Sequence, residues 1–465
     1  MFIFSRDRNA QLFVWGMWLV MVIAAFMCLV NYGRNIPIAE DWFLVKPLTG
    51  NEPHLVSWLW QQNNEHRIPL PRLILLTLLK FTNGDFRSGM VLNVLTLAFV
   101  AAAAIQVARA LRGGKTSYAD AFFPIALLNL SNWPNMFWSW QFTQVLPTAL
   151  TYIIVFILVL QPTLTLPLAV VIAGVSLVAL PFCGANGLLL VPVFAPWFIY
   201  RGFVNWYATD SQDKQRWTSM ISISLAAIAL CLIGVYFIGY QRPTWNPPSP
   251  GLGATLQTVA KFLAYSFGAV SAYSWSFFVL IAFGIFIPTF VIVILGIIRH
   301  QGLERQRALM MLLLCGVFGF YSLAVGHGRA GLVPSQGFPI RYVMFAVPML
   351  CIAFFIWELY GSRKWQQIVP WGLFLWMLLL LPLNTLAGFE MFGNWYDDVM
   401  DSVERDIANG IPRSLIAKRH RDALIHWWSD RELADNMQML YQDRVGVFAQ
   451  MREDPGNNSE ESLAQ

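Results

Sequence analysis

Long apolar stretches recur along this chain from residue 12 to residue 386, and they limit what it can fold into. A helix that crosses a bilayer needs about 20 mostly apolar residues. Inside hydrocarbon every backbone polar group must be satisfied by the protein itself. A chain with this repeated pattern is therefore expected to fold as an all-α polytopic transmembrane protein. Composition agrees: 57% of the 465 residues are hydrophobic and 12% charged, with a mean hydropathy of +0.53, far from a soluble domain.

We place about eleven spans, at 12–31, 89–108, 119–131, 145–161, 166–183, 186–200, 218–238, 274–298, 308–325, 343–360 and 368–386. The first follows a short basic start containing Arg6 and Arg8. It is too long for a signal-peptide core and reads as a retained anchor. The five cysteines (28, 183, 231, 315 and 351) lie nearly all in apolar runs, with neither zinc-site nor disulfide-framework spacing.

Lys and Arg collect in short cytoplasmic loops. An N-terminus inside puts four basic clusters in such loops: Arg109, Arg112 and Lys115; Arg201, Lys214 and Arg216; Arg299, Arg305 and Arg307; Arg363 and Lys364. The C-terminus then lies outside, and the expected location is a bacterial cytoplasmic membrane. Residues 68–82 and 255–270 are apolar but amphipathic, carrying Arg72, Lys80 and Lys261. Both are expected to lie along the outer interface. The tail, 387–465, reads as a small helical outer domain that packs on the membrane part. Ser429-Asp430-Arg431-Glu432 has capping-box form at the start of one helix, and the last ten or so residues read as disordered.

The outer loops hold the chemistry. The first, 32–88, contains Glu40-Asp41-Trp42 and Asn63-Asn64-Glu65-His66-Arg67. Carboxylates near hydrocarbon are costly unless they meet water, a cation or a partner, and one of them suits a general base for a hydroxyl nucleophile. Arg67 and His66 can bind phosphate, and Glu65 can hold a metal or a sugar hydroxyl. A later cluster has His327, Arg329 and Arg341-Tyr342, with Arg341 at a helix start where anions are already favoured. Trp138, Trp140 and Gln141 lie in the aromatic loop 131–144. Each cluster has a plainer reading as interfacial anchors or solvated salt links. A phosphate loop, GxGxxG and GxSxG are absent, so no nucleotide site and no nucleic-acid partner are expected.

AEDW, NEHRIPLPR, GDFR and the late Arg341-Tyr342 before a span, on this architecture, resemble the GT-C superfamily of membrane glycosyltransferases, in particular a poorly characterised bacterial branch. The resemblance covers most of residues 1–390. It implies inverting transfer of a sugar from a polyprenyl-phosphate donor to a glycan, lipid or protein acceptor on the outer membrane face. It also implies that Asp41 acts as base or metal ligand, with Glu40 as understudy and Mg or Mn as the divalent cation where one is used. Arg341, with Arg67 or His66, would stabilise the departing phosphate, His327 and Arg329 would join them, and Trp138, Trp140 and Gln141 would line the groove. Many members carry a second acid in a later outer loop. The 131–144 loop has none, which leaves Glu65 to stand in or the chemistry to run without metal. Membrane lipids are the remaining expected partner. The competing readings are a polysaccharide polymerase or ligase using lipid-linked glycan, and a lipid or small-molecule transporter. The transporter reading lacks the repeats and midplane charges that such proteins tend to show.

Overall fold

The computed structural model describes residues 2–208, 213–244, 247–333, 338–393, 396 and 398–452. Among these, helices are the only regular elements apart from one isolated bridge between Asn63 and His66. Nine helices in the described residues are long and apolar enough to cross a membrane, the longest being Gly302–Arg329 and Trp365–Phe392. A tenth apolar stretch, Pro167–Cys183, is shorter. The predicted spans agree in place with these helices except the third.

The expected span at 119–131 is not a continuous helix. Phe122–Leu128 is helical, Leu130–Asn132 is a 3-10 turn, and Trp133–Phe137 is a second short helix. Asn129 makes the break: its Nδ2 donates to the carbonyls of Ile125 and Ala126, while its Oδ1 accepts from the Ser131 N–H. Side chains thus replace the lost helical bonds. Every residue from Ala119 to Thr143 is buried, which is where non-helical backbone can persist at membrane depth.

The ends of this broken crossing define two faces of the bundle. Its start sits beside Arg112, which pairs with Asp120 and, at 3.1 Å, with Glu358. Its end, Trp138, accepts on its carbonyl from Asn93 Nδ2 and donates from its indole to Ile38. The first face carries the Arg112 and Arg201 clusters named above. The second carries the 33–86 segment.

Two stretches expected along the interface behave differently from each other. Helix α1, Pro69–Phe81, is amphipathic with Arg72 buried and Phe81 exposed. Helix α2, Leu252–Ala264, packs instead beside Gly302–Arg329: Thr255 and Val259 meet Gly326, and Phe262 meets Tyr321. It therefore runs antiparallel to the end of that helix, into the bundle. The chain turns back at Gly268 (φ +96°), where Asn384 donates to Phe267 O and accepts from Val270 N.

The C-terminal segment folds as three helices, α3 (Asp398–Ala408), α4 (Arg413–Ile425) and α5 (Asp430–Gln442). Leu433, Met437 and Leu440 are buried on one face of α5, and Ser429 Oγ caps it by accepting from the Glu432 N–H at 3.1 Å. The unit is fastened to the second face by Arg34–Asp401 at 2.8 Å and by Trp42 packed against Trp428 and Phe448. The last ten or so residues, expected to be disordered, lie outside the described residues.

Candidate active-site cleft

The turn Ala39–Leu44 sets the position of both first-loop carboxylates. Ala39 adopts φ +47°, a conformation that costs an L-residue about 1–2 kcal/mol. The backbone is thereby held so that Glu40 and Asp41 take opposite courses. Asp41 is fully buried: Oδ1 accepts from the Trp140 N–H at 2.8 Å and Oδ2 from the Ile38 N–H at 3.3 Å. Burial pushes its carboxyl well above the usual aspartate range, against the pull of those two N–H groups. Asp41 thus joins the first loop to the Ser139–Gln141 turn and does not line the cleft beside it. This departs from the role expected of it as base or metal ligand, since both oxygens are spent on backbone.

Glu40 does line that cleft. Its Oε2 is enclosed and has no hydrogen-bond partner among the described residues. Burial raises its carboxyl, and the charges of Arg341 and His426 draw it back down. The cleft takes in about 680 Å³ including its open mouth, and is lined by Glu40, Glu65, His66, Trp140, Gln141, Arg329, Arg341 and Tyr342 together with Asn63, Asn64, Thr143, Gln144 and Asn186.

A tight turn delivers Glu65 and His66. Asn63 and His66 exchange backbone bonds at 2.8 and 2.9 Å across Asn64, which takes φ +50°. Asparagine tolerates that left-handed conformation better than most residues. His66 Nδ1 accepts from the Ala185 N–H at 3.1 Å, so its proton sits on Nε2, 3.7 Å from Glu65 Oε1. Burial lowers His66, against the pull of Glu65. Burial alone would raise Glu65, but His66 and Arg329 overrule it and hold it below the usual range.

The two cationic guanidiniums of the cleft differ in kind. Arg329 is occupied: Nη2 donates to Glu65 Oε1 at 2.5 Å and Nε to the Tyr342 hydroxyl at 2.6 Å. Arg341 is anchored through its carbonyl, which accepts from Asn135 Nδ2 at 2.9 Å. Its half-buried guanidinium has no ion-pair or hydrogen-bond partner among the described residues. The cleft therefore carries one neutralised and one available cation.

Besides Asp41, three expected site residues stand elsewhere. Arg67, next to His66 in the chain, does not line the cleft. Its guanidinium donates to the carbonyls of Trp60 and Ile238 at 3.0 and 2.9 Å. His327 is exposed; two residues before Arg329 on a helix, it points about 200° away. Trp138 holds the frame through its bond to Ile38 and does not line the cleft. Thr143, Gln144 and Asn186 were missed by the sequence reading. The first two continue the Trp140–Gln141 turn into a helix, and Asn186 is a lone amide in an apolar run just after Gly184, which has φ +89°. Buried, unpartnered Gln141 Oε1 and Thr143 Oγ1 add acceptor atoms to the wall.

Asn186 and Phe345 also line a neighbouring apolar pocket of about 310 Å³ including its open side, together with Pro147, Thr148, Thr151, Leu190, Phe318, Tyr321 and Pro348. Asn186, shared by the two, is bonded to Gln144 and, at 3.1 Å, to the Tyr321 hydroxyl. Among the described residues no group of three or more His, Cys, Asp or Glu converges to hold a metal ion. With Asp41 capped by backbone and Glu65 paired to Arg329, the donor set does not fit one.

Comparison with known protein families, curated proteins and solved structures found no match.

Proposed function

We propose that this cleft transfers a sugar from a polyprenyl-phosphate carrier to an acceptor hydroxyl on the extracytoplasmic side of the membrane. The observation that carries the reading is the enclosed Oε2 of Glu40 in the same cleft as the guanidinium of Arg341, neither with a partner among the described residues. The apolar pocket that shares Asn186 and Phe345 with the cleft is where the carrier chain would begin beside its polar head. A mixed cavity of this kind suits a ligand of mixed character. The Arg112 and Arg201 clusters of the opposite face support an extracytoplasmic cleft through the bias of Lys and Arg towards cytoplasmic loops.

In this reading Glu40, rather than Asp41, is the base. The acceptor O–H gives its proton to Glu40 Oε2 while the acceptor oxygen bonds to the anomeric carbon. The bond from that carbon to the phosphate oxygen breaks, and its electron pair leaves with the phosphate. The carrier phosphate goes from a singly charged diester to a doubly charged monoester. Arg341 meets that added charge, and the Nε2–H of His66 is a further donor in the same cleft. A preorganised donor of this kind contributes about 3–4 kcal/mol in known oxyanion sites. A carboxyl raised by burial is also a stronger base than a solvated one.

The test is Glu40→Gln in purified protein in nanodiscs, supplied with a panel of polyprenyl-phosphate hexoses, with release of polyprenyl phosphate as the readout. Release should fall at least a hundredfold. Full release in the variant would overturn the assignment.

A further inference from the structure

The C-terminal helical unit carries no catalytic motif, yet its α4–α5 corner lies against the turn that bears Glu40. Helix α4 packs on Ala39–Leu44. At its end Leu424 and Ile425 are buried, and Trp428 lies against Phe43 and Trp42 with ring centroids 5.7 and 6.5 Å apart. Phe43 in turn packs on Trp140 of the cleft wall at 6.1 Å. The two residues between these anchors, His426 and Trp427, turn outward. Trp427 is 45% exposed, and the His426 ring stands edge-on to it at 4.7 Å. Neither side chain has a hydrogen-bond partner among the described residues. His426 is also one of the groups that draw the Glu40 carboxyl down.

An exposed indole on a corner whose flanking residues Ile425 and Trp428 are anchored is a flat apolar face open to a ligand. A pyranose offers the matching surface: a face of C–H groups with hydroxyls around the rim. The imidazole beside the indole can exchange hydrogen bonds with those hydroxyls. We infer that His426 and Trp427 form the acceptor subsite, with Trp427 stacking on a sugar ring of the acceptor and His426 binding its hydroxyls, so that the next hydroxyl is presented to Glu40. This rests on the sugar-transfer reading and deepens it: the acceptor is a carbohydrate, and the C-terminal unit selects it. The roles are positioning and specificity, since the proton goes to Glu40.

The experiment uses the full chain in detergent and saturation-transfer NMR with three probes: methyl α-mannoside, methyl β-glucoside and the methyl glycoside of β-N-acetylglucosamine. At least one should bind wild type in the millimolar range. Trp427→Ala should weaken that probe about tenfold, as loss of an aromatic stacking partner does, and Trp427→Phe should restore part of it. His426→Ala should change the ranking of the three probes. Trp217→Ala, an exposed indole on a membrane helix, should change nothing. Glu40→Gln should keep probe binding while losing donor turnover, which separates the two claims. Turnover retained in Glu40→Gln defeats the base assignment alone. No probe bound by wild type, or equal binding in Trp427→Ala, overturns the acceptor subsite and leaves Trp427 an interfacial anchor.

Discussion

Asp41 and Glu40 are neighbours of the same charge, and the structure gives them opposite sensitivities to the loss of it. Asp41→Asn replaces two acceptor oxygens by one oxygen and one NH₂. If the oxygen keeps the Trp140 N–H, the new amide points its hydrogens at the Ile38 N–H, 3.3 Å from the lost oxygen. One bond to a charged acceptor disappears, a second becomes neutral, and a buried donor is left facing another donor. Bonds to charged groups contribute about 1.5–3 kcal/mol, and an unsatisfied buried donor costs about 1–3 kcal/mol. Removing a buried charge offsets part of this, because burial already disfavours the ionised form. The expected loss of stability is about 2–4 kcal/mol. Glu40→Gln changes an oxygen that has no hydrogen-bond partner among the described residues, so its stability should stay within about 1 kcal/mol of wild type. Unfolding in mixed detergent–SDS micelles, followed by a thiol-reactive fluorophore, reads both. Cys183 and Cys351 are buried and report opening, over a baseline from exposed Cys231. Asp41→Asn that melts like wild type yet loses all turnover would refute this reasoning and return the base to Asp41.

Other outcomes follow from the same contacts. Turnover needs ionised Glu40, so it should fall as pH drops through the carboxyl's pKa. Because burial raises that pKa, the acid limb of kcat/KM should lie above the ordinary glutamate value of about 4.3. Arg341→Gln removes a charge that draws Glu40 down, so the limb should move to still higher pH as KM for the lipid donor rises; an unmoved limb would separate the two groups. Arg112→Met strands the buried Asp120 carboxylate and Glu358 without their cation. It should destabilise the bundle by about 3–5 kcal/mol while leaving the donor KM of the surviving folded fraction unchanged. Gly268→Ala would put a methyl group 2.3–2.6 Å from the Asn384 amide at φ +96°, a loss of about 3 kcal/mol from crowding and backbone strain together, read by the same unfolding assay.

The membrane helices were legible because each is a continuous apolar run, and a run of that length has few alternatives. The third crossing was not, because its break depends on where the Asn129 side chain folds back, to Ile125 and Ala126. Apolar content alone cannot show that. In the site, the residue types were readable but their division of labour was not. Which carboxylate of Glu40-Asp41 is consumed by the fold is decided by the backbone N–H of Trp140, 99 positions away. Glu65 and Arg329 meet across 264 positions, leaving Arg341 unpaired. His327 stands off the cleft for a local reason, its helical phase against Arg329, which the spacing of the two could have shown. Arg67 stands off it because its guanidinium is taken by the carbonyls of Trp60 and Ile238, the latter 171 positions away. The part played by the C-terminal corner had no sequence signal beyond an adjacent His and Trp pair.

The most direct measurement is the position of the phosphate when polyprenyl phosphate is added to the protein in nanodiscs and imaged by electron cryomicroscopy. The account predicts phosphate density within about 3 Å of the Arg341 guanidinium, with the first segments of the chain entering the apolar pocket past Phe345 towards Phe318 and Leu190. Phosphate bound at the Arg112 face, or outside the cleft with the pocket empty, would contradict it.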